Sequence, residues 1–148
     1  MRLNRAWIEA RIPHQGRMCL LDEVIDWNAQ YIRCATATHR APDNPLRSHG
    51  RLGAAVGIEY AAQAMALHGA LAGGAGAPQV GLLAGLRGVR LFVARLDDID
   101  SELICEATHL AGDGLTALYE FALRDRNSIL VSGRASVVLD AGGRLKYE

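Results

Sequence analysis

The chain has 148 residues, no formal net charge, 50% hydrophobic and 22% charged residues, which is one domain's length with enough apolar material for its own core and no electrostatic pull toward nucleic acid or a membrane surface. Three widely spaced cysteines, Cys19, Cys34 and Cys105, show neither a disulfide framework nor a zinc knuckle, and Cys34 and Cys105, in strand-like runs, read as small core residues. The first residues carry no apolar signal segment, so a reducing cytoplasm is expected.

In chain order, Asn4 to Ala10 suits a short helix capped by Asn4, and Pro13-His14-Gln15-Gly16 reads as a loop. Met18 to Trp27 is apolar and reads as a strand; Tyr31 to His39 alternates as a half-buried strand does. Ala41 to Arg51 is a loop with two prolines. Gly53 to Gly73 has the Ala, Leu and Met content of a long helix, closed by the glycine run through Gly76 and by Pro78. Gln79 to Ala94 reads as a strand bulged near Gly85 or Gly88. Leu103 to Leu110, Leu115 to Arg124 and Ile129 to Leu139 are strands joined by tight turns, so they pair antiparallel. Ala117, Tyr119, Phe121 and Leu123 share one face, as do Ile129, Val131, Ala135, Val137 and Leu139. The tail from Asp140 is expected to fray. The domain is expected to span residues 1–148, with its core at about 12–139.

The long helix is apolar nearly all round, so it is expected to be buried on most sides. Its polar content, Glu59, Gln63 and His68, argues against a membrane span. Glu59 and Gln63 are four residues apart and share a face. A carboxylate on a buried helix must be paired, hydrogen-bonded or protonated, which makes Glu59 a candidate functional group or the partner of an arginine at a surface or interface.

One apolar helix wrapped by a curved antiparallel sheet of five to six strands is the hotdog arrangement. Pro13-His14-Gln15-Gly16-Arg17-Met18-Cys19-Leu20-Leu21-Asp22-Glu23-Val24 resembles the opening of bacterial 3-hydroxyacyl-acyl-carrier-protein dehydratases. Ile58-Glu59-Tyr60-Ala61-Ala62-Gln63-Ala64 resembles their helix motif, and Leu83-Ala84-Gly85-Leu86 through Arg90-Leu91-Phe92 resembles the strand that follows. The pattern from Gly50 to Met65 is most similar to the divergent branch associated with aryl polyene synthases. The resemblance runs from Ile12 to Leu139.

It implies a dehydratase that removes water from a 3-hydroxyacyl thioester carried on the phosphopantetheine of an acyl carrier protein, with no metal or nucleotide cofactor. It also implies a homodimer or a hetero-hotdog dimer. The family's loop histidine, fourteen residues before the helix carboxylate, falls here on Pro45. His14 and His49 are the two replacements, with His14 favoured as base and His49 the fallback, and Glu59 as the acid. Gln63 would orient Glu59 or a water. N–H groups near Gly53 and Ala54 and at Gly85 would stabilise charge on the thioester oxygen. Arg47, Arg51 and Arg90 would meet the acidic carrier and its phosphate. His39, His68 and His109 read as structural. Two alternatives stay open: a hotdog thioesterase that uses Glu59 without a histidine base, and a non-catalytic or half-catalytic partner subunit.

Overall fold

The computed structural model describes residues 2–73 and 79–140. The Gly74–Pro78 run expected to close the helix and the tail after Asp140 lie outside the described residues.

Helix α1 (Arg5–Glu9) starts where the Asn4 side chain accepts the Trp7 N–H at 3.0 Å. Before it, Leu3 and Val24 exchange backbone hydrogen bonds of 3.0 and 2.8 Å, which ties the N-terminus to the sheet. Strands β1 (Glu23–Asn28) and β2 (Tyr31–Thr36) form a hairpin. Helix α2 (Gly57–Gly73) follows a 3₁₀ turn over Ala54–Val56. Strands β3 (Gln79–Leu91), β4 (Leu103–Gly112), β5 (Thr116–Arg124) and β6 (Ile129–Asp140) complete the sheet. All pairs are antiparallel, in the order β1-β2-β4-β5-β6-β3. The link from β2 to β3 therefore crosses nearly the whole sheet, and α2 lies on the face it crosses. This is the hotdog arrangement.

Small and β-branched residues set how closely helix and sheet approach. A Cβ on Gly57 would lie 3.0 Å from Leu123 Cδ2 and 3.2 Å from Val131 Cγ2, so a larger residue there would push these side chains aside where α2 begins against β5 and β6. Further along, Tyr60, Met65 and Leu67 are fully buried. Burial of each such side chain contributes roughly 1.5–3 kcal/mol. Ala117, Tyr119, Phe121 and Leu123 all face the helix, as their alternation predicts. The three cysteines are buried thiols, and Cys34 lies directly opposite Cys105 across β2 and β4.

Several expectations need correction. Only Glu23 onward of the Met18–Trp27 run is strand, because the Leu20 N–H is bound by the Gln63 side chain instead of a neighbouring strand. Strand β2 stops at Thr36, and Thr38–Arg40 forms a 3₁₀ turn. In β6, Ile129 is exposed and Leu130 is buried, because the ladder slips between Leu123 and Arg124. The bulges expected in β3 are present, and Gly88 adopts φ +58° between Arg87 and Arg90. The helix is not enclosed. The sheet covers one side of α2, whereas Glu59 is exposed and Ala62, Ala66 and Ala70 only half-buried on the other. Glu59 is thus on the open side of the helix, not in the core.

Candidate active site

The segment carrying His14 is held by Gln15 from within and by side chains of the two helices. Gln15 Nε2 donates to the carbonyls of Glu9 at 2.6 Å and Ile12 at 3.2 Å, closing the chain at the end of α1. Gly16 adopts φ +58°, a left-handed turn open to glycine at no steric cost. Farther on, Leu20 N–H donates to Gln63 Oε1 at 2.9 Å, and Gln63 Nε2 donates to the Met18 carbonyl at 2.8 Å. Gln63 is buried, so this pairing also satisfies a polar group inside the core. Its amide faces the 18–20 backbone, which replaces the expected role of orienting Glu59 or a water.

The same backbone is held from a second side. The Thr38 hydroxyl donates to the Leu20 carbonyl at 2.6 Å and so accepts from the Tyr60 hydroxyl, 2.9 Å away. Asn44 Nδ2 in turn donates to the Tyr60 hydroxyl at 3.0 Å. Burial pushes the Tyr60 phenol up to about 12, so it stays neutral. Tyr60, Asn44 and Thr38 were not among the sequence candidates. Their pairing spans 22 residues or fewer in the chain but follows no spacing rule.

These constraints bring His14 to the helix. His14 is half-buried, and its Nδ1 is buried without a hydrogen-bond partner among the described residues. Burial lowers its pKa, opposed by the negative charge of Glu59, which is close enough to act on the imidazole. At neutral pH the ring is therefore a neutral base, near enough to α2 for the Glu59 charge to act on it.

The other sequence candidates lie elsewhere. His49 is exposed at the tip of a tight turn in which Ser48 and Arg51 exchange hydrogen bonds of 2.8 and 3.0 Å, with φ +53° at His49. Arg47 is spent internally: Nε, Nη1 and Nη2 donate to the carbonyls of Ala41, Gly50 and His39 at 3.0, 2.8 and 3.4 Å. Arg51 and Arg90 are exposed. Arg90 lines a groove of about 640 Å³ on the outer face of the sheet, with Arg87, Phe92 and Glu106, away from the helix side. The Ala54 N–H donates to the Ala94 carbonyl at 3.1 Å, so it is not available to a thioester oxygen. Gly53 and Gly85 are exposed, with open space where a Cβ would stand.

The remaining histidines are internal ties. His68 Nε2 donates to the Asn28 carbonyl at 3.1 Å, and its Nδ1 accepts from the Tyr119 hydroxyl at 2.9 Å. His109 packs edge-on against the Tyr119 ring. His39 Nε2 donates to the Ile99 carbonyl at 3.0 Å.

The sequence family described as ApeP-like, ApeP dehydratase, matches residues 6–142. The chain belongs to the ApeP-like dehydratase family. No curated protein sequence matches it. Among solved structures, this ApeP-like chain is similar to one described as the dehydratase heterocomplex ApeI:P from Xenorhabdus doucetiae, at TM-score 0.75 and 24% identity over 91% of each chain. It is similar to a thioesterase from Haemophilus influenzae at TM-score 0.61 and 12% identity, over 85% of this chain and 82% of the other. A hypothetical thioesterase with coenzyme A from Streptococcus pneumoniae aligns at TM-score 0.59 and 9% identity, over 80% and 84%. At these identities the structural likenesses show a shared hotdog fold, and the family match makes this chain a dehydratase. Among the described residues, no helix is long and apolar enough to cross a membrane.

Proposed function

We propose that this ApeP-like dehydratase converts a 3-hydroxyacyl thioester on an acyl carrier protein into the trans-2-enoyl thioester, with His14 as base and Glu59 as acid. The observation that carries the reading is the half-buried imidazole of His14, on a segment that Gln63 ties to α2 and near enough to Glu59 for its charge to act on the ring. In the proposed step the imidazole takes the C2 proton, the C2–C3 double bond forms, and the C3–oxygen bond breaks. The leaving hydroxyl takes a proton from the Glu59 carboxylic acid and departs as water. A proton passed from imidazolium to carboxylate resets both groups. The step runs on acid–base groups alone, so no metal or nucleotide enters it.

A general acid of this kind works best in a dry enclosure, where the protonated carboxyl is favoured. This chain alone leaves Glu59 exposed, and Leu83, Leu86 and Leu91 of edge strand β3 are exposed as well. Both features support a second hotdog subunit as the cover, in a homodimer or a heterodimer, and the ApeI:P heterocomplex adds to that support for this chain. The exposure of Glu59 favours a site shared between subunits over one complete in a single chain. Arg51 and Arg90 are the remaining candidates for contact with an acidic carrier. Buried, unpaired thiols at Cys19, Cys34 and Cys105 fit a reducing cytoplasm.

The test is conversion of a carrier-bound 3-hydroxyacyl thioester, followed by mass spectrometry. The chain is assayed alone and with any hotdog subunit that copurifies. Loss of water from the intact thioester is expected. Release of free thiol without an enoyl product would move the assignment to a thioesterase.

A further inference from the structure

One guanidinium organises the segment that carries His14. Arg5 Nη2 donates to the Gly16 carbonyl at 2.8 Å and the Cys19 carbonyl at 2.6 Å. Its Nη1 donates to the Leu21 carbonyl at 3.3 Å and the Asp22 carboxylate at 3.1 Å, and its Nε lies 3.4 Å from Glu9. Residues 16–22 curl around this side chain. Gly16 is two residues from His14, and Gln63 pins Met18 and Leu20 of the same curl to the turn of α2 that follows Glu59. The segment is thus fixed at two points, by Gln63 on the helix side and by Arg5 on the α1 side.

We propose that Arg5 is the positioning residue for His14, setting where the imidazole stands relative to Glu59. It does not touch the reacting atoms. A surface ion pair would not require arginine: the Asp22 and Glu9 pairs are part-exposed and contribute little. Three carbonyls arranged around one planar fork do require it, because lysine offers a single rotatable ammonium in place of five donors in fixed directions. Sequence shows only the Arg5–Glu9 spacing of one helical turn; the carbonyls that Arg5 gathers come from 11 to 16 residues downstream.

The inference rests on His14 as the base but is separable from it, because the first readout is the titration of the imidazole itself. In Arg5→Lys the charge stays and the fork is lost. The loosened loop lets water reach His14, and its pKa, followed by NMR on the full chain, is expected to rise toward the ordinary value of about 6.5. In the dehydratase assay kcat is expected to fall about tenfold or more with KM little changed, since a small misplacement of a reacting group is costly. Arg2→Lys, which alters only the exposed pair with Glu23, is the control and should move neither. A shifted His14 with unchanged turnover supports the positioning role and overturns His14 as base. A His14 titration identical to that of the parent chain overturns the positioning role, whatever the turnover. If Arg5→Lys does not fold, Arg5→Gln, which leaves two donors where the fork has five, is expected to shift His14 in the same direction, and an unshifted imidazole there overturns the proposal.

Discussion

Gln63 and Leu20 hold each other across 43 positions of sequence: the Leu20 N–H donates to Gln63 Oε1 at 2.9 Å, and the same carboxamide donates to the Met18 carbonyl at 2.8 Å. One side chain on α2 therefore replaces the strand neighbour that an apolar run such as Met18–Leu21 would otherwise seek. Gln63→Leu keeps the volume but strands a buried N–H and a carbonyl. The expected cost is about 1–3 kcal/mol of stability, read by urea denaturation. Stability within a few tenths of the parent value would show that the backbone finds other partners.

The histidines predict a pH dependence. Burial lowers His14, His39 and His68 below their ordinary value of 6.5. In the unfolded chain each binds a proton as pH falls through about 6.5, while the folded chain resists doing so. The unfolded state then holds more protons, and stability rises with pH in that window. The expected result is a lower urea midpoint at pH 5.5 than at pH 7.5, at fixed protein concentration. Asp97 acts in a separate window: its hydrogen bond from Arg95 holds its carboxyl far below the usual range, so its contribution is lost only as pH falls below about 3.8. Equal midpoints at pH 5.5 and 7.5 would mean that the three rings are not desolvated together.

Much of the fold is legible in the residues. Alternation at Ala117, Tyr119, Phe121 and Leu123 states which face of β5 is buried, and the glycines of β3 announce its bulges. The errors share one cause. Local pattern makes Met18–Leu21 and Ile129 core strand residues, whereas their state is set by long-range hydrogen bonding and by a slip in the ladder between Leu123 and Arg124. An α2 that is apolar all round points to burial on most sides, Glu59 included. Composition cannot say which side of such a helix the same chain covers and which side waits for another. His14 was legible as a candidate, but not the Arg5 and Gln63 contacts that hold its loop.

Charge on the surface makes a narrower prediction. Arg51→Glu with Arg90→Glu is expected to lower kcat/KM for a carrier-bound substrate while leaving a small pantetheine thioester unaffected. Each exposed charge acts mainly on encounter with an acidic partner, so the loss should shrink as salt is raised. Arg47→Glu belongs to a different class. It removes the internal ties to Ala41, Gly50 and His39 and is expected to lower the melting temperature in the absence of any carrier. Equal losses on both substrates in the double variant would remove Arg51 and Arg90 from the carrier interface.

The last prediction concerns His14 and Glu59 themselves. If both act in one elimination, Glu59→Gln removes the acid while keeping shape, and His14→Ala removes the base. Each is expected to slow enoyl formation by about 10²–10⁴-fold. Because the two serve the same bond-breaking step, the double variant should be little slower than the slower single one. Neither change should cost much stability. Glu59 is exposed, and His14 leaves a buried nitrogen unpartnered, so replacing it with Ala removes an unsatisfied polar atom. His49→Ala serves as the control: its side chain is exposed at the tip of a turn, and turnover should be unchanged. An inactive His49→Ala beside an active His14→Ala would move the base to the loop before α2. An active Glu59→Gln, in an assay that the parent chain passes, would separate this helix carboxylate from the chemistry altogether.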